Sequence, residues 1–502
     1  AGIFFLGGSS SETTRPLGQD GANATNTNEQ NQPLAKPVML DTNRVVVLPF
    51  KTIGGAQNSE DLGYGLVSTL TSKLQPLQNL VIIANESARK FKDTELSPKE
   101  IGQALQVGTI VTGEIQTSGD KVQVNIRVIN ANTEALGWGS TFSKNKSDYL
   151  DLQNEIATKL ASELKGGLDA DEAQQLAQKA TENAEAQAEY QAGRREWNKR
   201  SKSGFDNAIK HYEKAIDLDP GYAQPYVGLA DTFLMIPLYN FGKPDTLMPK
   251  VRIYAEKAIQ INPDIAGAYT SLGMLMLQYE YNWTEAEKNF KKALQLNPNY
   301  AIGYHWFGVY LYLSGKANEA IPVLKKGTEL NPESVIIKNG LALSYWHSGE
   351  KNKAVQLLDS VLENNPFFVP CLRTKYGYML ADLSDDSVNH LQKALKQQPN
   401  QPTINWTLFE ILWARGNTED AKDQLIELHA KYSDKLNKNK FAEIYFRMGK
   451  REYAYKYLEE SIRAKEGNVL FTFITNSLKQ YQSEPRFIDL MKSINHPLHT
   501  SK

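Results

Sequence analysis

A chain of 502 residues exceeds what one hydrophobic core can organise, so two or more folded units are expected. Its hydrophobic content of 41% is that of a globular protein, and a formal net charge of −1 gives no reason to expect nucleic acid or an anionic membrane surface as a partner of this region. The single cysteine, Cys371, excludes an internal disulfide framework and a cysteine-based zinc site, and reads as a small buried apolar residue.

In chain order, residues 1–43 come first. Ala1 to Gly8 are apolar but too few to span a bilayer. They read as the trailing end of a membrane segment or a signal sequence, with an ordinary apolar tail as the alternative. This gives the expectation of a membrane attachment at or before the N-terminus. Ser9 to Pro37 is rich in Ser, Thr, Asn, Gln and Gly, cannot offset its ordering entropy by burial, and is expected to be a flexible tether.

Residues 44–166 read as a small α/β domain. Val45-Val46-Val47-Leu48 is a continuous apolar, β-branched run suited to a buried strand. A helix is expected from Ser59-Glu60-Asp61, with Leu62, Leu66, Leu70 and Leu74 at helical spacing, followed by a strand at Leu80–Ile83. Ser97-Pro98-Lys99-Glu100 supplies an N-cap serine, a first-turn proline and an acid for the helix dipole, opening a helix to about Gln106. Strands follow at Thr109–Thr117, Val122–Asn130 and Leu136–Phe142, the first two joined through Ser118-Gly119-Asp120, and an amphipathic helix at Tyr149–Leu164 closes the unit. Gly63-Tyr64-Gly65 falls inside a helical pattern and reads as a close-packing device. A small-molecule site in this domain would lie in the loops after Phe50 and Ala84, the first made permissive by Gly54-Gly55, although the plain turn is the favoured reading.

The phrases RVVVLPF, EDLGYGLVSTLTSKL, NLVIIA and DLQNEIATKLASEL, in this order between Arg44 and Leu164, resemble the TolB N-terminal-like domain. The junction TENAEAQAEYQAGRREWNKR and the closing SEPRFIDLMKSI are similar to segments of bacterial signalling proteins that carry this domain followed by helical repeats. The resemblance implies an extracytoplasmic region of a membrane-anchored protein. Its output module would precede the membrane segment as a serine/threonine kinase, a nucleotide cyclase or a winged-helix DNA-binding domain. None of these modules is among the present residues.

A connecting helix is expected over 167–184 and a repeat array over 185–466. Pro220, Pro263, Pro298, Pro332, Pro366 and Pro399 recur at about 34 residues with one wider first gap, each preceded by an apolar pattern of helical period. This is the tetratricopeptide signature. Small residues are needed where helix A crosses helix B, and Gly273, Ala286 and Ala293, then Gly308, Ala320 and Gly327, then Ala342 and Ala354 occupy those places. Ala208 and Ala215 mark the first repeat. Ala230, Ala255 and Ala258 mark the second, with an inserted loop expected around Pro237–Pro249. Degenerate pairs carrying Trp406 to Leu425 and Ala442 to Leu458 bring the count to about eight, and residues 467–502 should form capping helices and a tail in which His496 and His499 fray.

By repeat position, the concave wall is expected to present Asp231, His305, Tyr312, Asn339, Trp346, Trp406, Glu410 and Trp413. Aromatic side chains with polar tips suit a protein or peptide ligand, although the same rings serve as packing between repeats. Lys and Arg do not cluster at the inner positions of adjacent repeats, which argues against a cationic clamp on a peptide carboxylate. Phosphate-loop, nucleophile-elbow, zinc-protease and kinase phrases are missing, and the histidines are scattered, so neither a catalytic site, a cofactor nor a metal is expected. The expected fold is an α/β domain followed by an all-α tetratricopeptide superhelix. Its expected role is a non-catalytic scaffold on the outer side of a membrane, either as the sensory part of a signalling protein or as an exported or lipid-anchored assembly scaffold. A second copy of the chain stays open as a partner.

Overall fold

The computed structural model describes residues 39–53, 59–239, 241–432 and 437–500. The apolar N-terminus, the tether and Gly54-Gly55 lie outside them.

The N-terminal unit is built on strands β1 (Arg44–Val47), β2 (Lys51–Ile53), β3 (Val81–Ile82), β4 (Thr109–Ser118), β5 (Lys121–Asn130) and β6 (Leu136–Asn145). They lie in the order β3-β1-β4-β5-β6, with β1 parallel to both neighbours, β4 to β6 antiparallel, and β2 also paired with β4. Val45 and Val47 pack with Leu66 and Leu70 of helix Ser59–Leu74 and Leu152 and Ile156 of helix Tyr149–Lys165. Val46 and Leu48 face the opposite side, onto Ile101 and Leu105 of helix Pro98–Leu105. A strand covered on both faces has no polar side, which is why its sequence is continuously apolar. Pro49 has no N–H to give, and the pairing with β4 breaks there and resumes as β2, a strand absent from the sequence reading, as is the short helix Asn85–Arg89. Ser97 and Glu100 form a full capping box. Gly63 and Gly65 are not close-packing devices: a Cβ on either would meet only ordinary contacts at 3.7 Å or more.

Beyond helix Ala170–Ala177 the described chain forms eight antiparallel helix pairs, from Ala184–Asn198 with Lys202–Leu218 to Lys438–Arg447 with Arg451–Arg463. The small positions work by close approach. A Cβ on Gly273 would stand 2.8 Å from Phe290, and one on Gly308 would overlap Leu324. Tyr212 is gripped by two glycines that the sequence pattern did not single out, Gly193 and Gly228. The extra residues of the second repeat do not make a loop: they lengthen its helices to Ala223–Leu238 and Pro244–Ile261, with Pro237 and Pro249 inside them. Both prolines sit close to a helix end, where few backbone hydrogen bonds are lost.

Residues 465–500 then turn back across the middle of the array. The Tyr378 hydroxyl donates to Phe471 O at 2.7 Å, Lys465 covers the Tyr279 ring, and Trp283 Nε1 donates to Ile494 O at 3.1 Å. His496 does not fray: it is fully buried, its ring 4.9 Å from Trp283 and 5.6 Å from Phe473. Among the described residues no helix is long and apolar enough to cross a membrane.

Candidate functional site

The α/β unit docks on the array through its sheet edge. The Ala84 N–H donates to Leu330 O at 2.7 Å, and Asn299 accepts from the Ile82 N–H while donating to Gln75 O and Leu80 O. One repeat further on, Asn331 bonds Ser87 and Glu86, and Lys90 pairs with Glu333 at 2.6 Å. The segment after Ala84 is thus a short helix, Asn85–Arg89, whose Glu86 and Ser87 bond the solenoid.

Between the two lies a half-open cavity of about 1780 Å³. One wall is the α/β unit, with Tyr64, Ser68, Ser72 and Asn85; the other is the concave face of the repeats, with Met274, Tyr300, Trp306 and Leu343. Such a volume exceeds the roughly 300–1,000 Å³ of a small-molecule site and suits a stretch of several residues.

The sequence-derived candidates divide around it. Asp231, His305, Tyr312, Asn339 and Trp406 line the cavity; Trp346, Glu410 and Trp413 do not. Asp231 accepts from Ser271 at 2.7 Å and lies 3.6 Å from Arg194; burial raises its carboxyl pKa, with Arg194 and Ser271 pulling it back. His305 is 5% exposed and its Nδ1 has no hydrogen-bond partner; burial first, and the charge of Arg200 second, bring its pKa down to about 3, so it is neutral. Asn339 Oδ1 is likewise buried without a partner. Trp406 is held between cations, with Arg373 at 3.7 Å and Lys440 at 4.1 Å from its ring centre.

Glu410 is fully buried and serves structure: Arg373 Nη1 lies 2.6 Å and Arg447 Nη2 2.8 Å from its carboxylate, and Arg373 also reaches Glu443 at 3.0 Å. Trp413 stacks on Phe409, and Trp346 is half-buried beneath Lys351. Sequence reasoning missed the cationic end of the cavity. Arg194 and Arg200 both lie against the Trp197 ring, at 4.5 and 3.7 Å. The signal was present in Arg194-Arg195-Glu196-Trp197-Asn198-Lys199-Arg200, read as a junction and not as a wall. Cys371 is buried and its thiol pushed up to about 12, which leaves it unreactive. Among the described residues no group of three or more His, Cys, Asp or Glu is placed to hold a metal ion.

The chain carries tetratricopeptide repeats: family models of that description match residues 311–369 and 205–222. The transcriptional regulator HilA of Salmonella typhimurium is 23% identical over 288 residues, covering 56% of this chain and 50% of HilA, so the chain spans about half the length of the curated relatives it matches. Among solved structures, the TPR protein TTC0263 of Thermus thermophilus is 21% identical, with 39% of this chain and 100% of that chain covered and a TM-score of 0.33. Yeast Tom70 is 19% identical, with coverages of 63% and 68% and a TM-score of 0.39.

Proposed function

We propose that this chain is a sensory and scaffolding region that performs no chemistry of its own and binds a peptide or protein segment inside its tetratricopeptide superhelix. The observation that carries the reading is the double wall of the cavity, which is lined by the repeats and by the α/β unit, so that one occupant can reach both. Tetratricopeptide arrays offer concave binding surfaces, and here occupancy also reports on the docking of a second domain. The TolB-like resemblance and the apolar N-terminus support a place on the outer side of a membrane, as part of a signalling protein. HilA is a transcriptional regulator by name, and half of its length lies outside the match, which leaves room for an output module.

The test is affinity capture from the native source with residues 38–502 as bait, beside a Trp306→Ala, Leu343→Ala variant that alters the cavity wall. A partner lost in the folded variant supports the reading. A folded variant that keeps every partner overturns it and moves binding to the convex face.

A further inference from the structure

The sheet of the α/β unit has two edges, and the molecule treats them differently. Edge strand β3 is closed by the repeat array, through the Asn299 side chain on the Ile82 N–H. At the other edge β6 pairs with β5 on one side, and among the described residues no strand pairs with it on the other. Leu136, Gly137, Gly139, Thr141 and Ser143 are exposed along it. A ten-residue strand left open in this way is a template for another strand.

The free backbone groups follow from the register. Gly119 and Asp120 form a two-residue turn between β4 and β5, which makes Ser118 and Lys121 a hydrogen-bonded pair. Antiparallel ladders alternate, so the odd-numbered residues of β5 bond to β4 and the even-numbered ones to β6. Val124, Ile126 and Val128 stand opposite Phe142, Ser140 and Trp138. Gly139, Thr141 and Ser143 therefore turn their N–H and C=O groups outward. The usual guards of an edge are missing here. Gly137 to Ser143 contains neither a proline nor a charge, and the register shift at Val128/Ile129 falls before Trp138. Lys144, the nearest cation on the strand, is drawn to Glu155 at 3.0 Å.

We infer that β6 is a self-association edge, to which a second copy of this chain adds its own β6, antiparallel, across a two-fold axis through Ser140. It stands independently of the peptide-binding reading. An uncharged strand meets its own copy without repulsion, and the two-fold closes the contact at a dimer. An axis at Ser140 sets Gly139 opposite Thr141 of the second copy, both with outward backbone groups, as hydrogen-bonded pairs. It also sets Trp138 opposite Phe142 of the second copy in the closer, non-hydrogen-bonded class, where aromatic cross-strand pairs are favourable. Trp138 is half-buried against the sheet core and has ring surface left to cover. An axis at Thr141 would set Trp138 against Lys144, and one at Gly139 would set it against Ser140.

The test is sedimentation velocity of the whole chain from about 1 to 100 μM, the range in which so small a contact should assemble. The parent should pass from monomer to dimer. Gly139→Lys with Thr141→Lys keeps the fold, because both positions are exposed and a Cβ on Gly139 meets only an ordinary contact at 3.5 Å. It sets Lys opposite Lys and should weaken the dimer on the order of tenfold. Gly139→Glu with Thr141→Glu should do the same, and mixing the two variants should restore association, since each Lys then faces a Glu. Ser140→Cys should cross-link the dimer on mild oxidation, Cys371 being buried, and Ser143→Cys, which lies off the axis, should not. A parent that stays monomeric, a dimer unchanged in the Lys variant, or Lys and Glu variants that do not associate when mixed would each overturn the inference. Cross-linking at Ser143→Cys as readily as at Ser140→Cys overturns the axis.

Discussion

Asn299 Oδ1 accepts the Ile82 N–H at 3.1 Å, so a side chain of the repeat array completes the pairing of the edge strand β3. The same amide donates to Gln75 O at 2.8 Å and Leu80 O at 3.0 Å. An exposed sheet edge is a liability, and here it is used as the joint between two parts of the molecule.

Asn299→Ala removes three hydrogen bonds and leaves the buried Ile82 N–H unpaired. Each such loss costs about 1–3 kcal/mol. The expected outcome is release of the α/β unit with both parts still folded, seen as faster amide exchange at residues 80–90 and a second, earlier transition in calorimetry. A single unchanged transition would show that Asn331, Lys90 and the Ala84 N–H suffice without Asn299.

The Arg373–Glu410–Arg447 cluster joins three successive repeats in the buried interior. Gly377 stands beside it because a Cβ there would overlap Arg373 Nη1 and the Glu410 carboxylate. Glu410→Gln leaves Arg447 without its carboxylate and Arg373 with Glu443 alone, and should cost about 3–5 kcal/mol. Gly377→Ala should cost a similar amount by forcing the pair apart, and the double variant should cost less than the sum. Urea unfolding of the three proteins reads this directly; strict additivity would mean that Gly377 does not act through the ion pair.

The repeat ladder was legible because its determinants are local and steric. A helix crossing that admits no side chain demands glycine or alanine, and Gly273 against Phe290 and Gly308 against Leu324 show the demand. The Ser97 capping box was equally local, spanning the four residues from Ser97 to Glu100. The closure of the array was not legible. Trp283 and Ile494 are 211 residues apart, and no periodicity announces that one will bond the other. Glu410 occupies an inward repeat position, and only its neighbours Arg373 and Arg447 reveal that it is an internal ion-pair member. Arg200 reaches the cavity through a left-handed turn, which a residue other than glycine does not advertise.

Trp283→Phe removes the donor to Ile494 O and leaves that carbonyl without its partner. Phenylalanine keeps a six-membered ring beside His496 but loses the pyrrole half of the indole, so a small cavity in the array adds to the lost hydrogen bond. Proteolysis within residues 482–500 should accelerate about tenfold, in line with a loss of about 1.4 kcal/mol. Unchanged cleavage would mean that the stacking of His496 holds the segment without the hydrogen bond.

Two buried histidines, His305 and His496, and the half-buried His347 make stability depend on pH. Burial brings His305 and His496 down to about 3 and His347 to about 4. The unfolded chain takes up their protons near pH 6.5 and the native one does not. Their contribution is therefore complete above the unfolded pKa and is lost as pH falls through the window between 6.5 and the folded values. Each costs about 1.4 kcal/mol per pH unit inside that window. Between pH 7.5 and 5.5 the three together should remove about 4 kcal/mol. His496 faces Trp283, Phe473 and His499. His496→Phe keeps a ring in this apolar site and removes the titration, so the loss over the same interval should shrink by about one third. Urea titrations of both proteins at the two pH values measure it, and an identical loss in the variant would show that His496 takes up no proton on unfolding in this range.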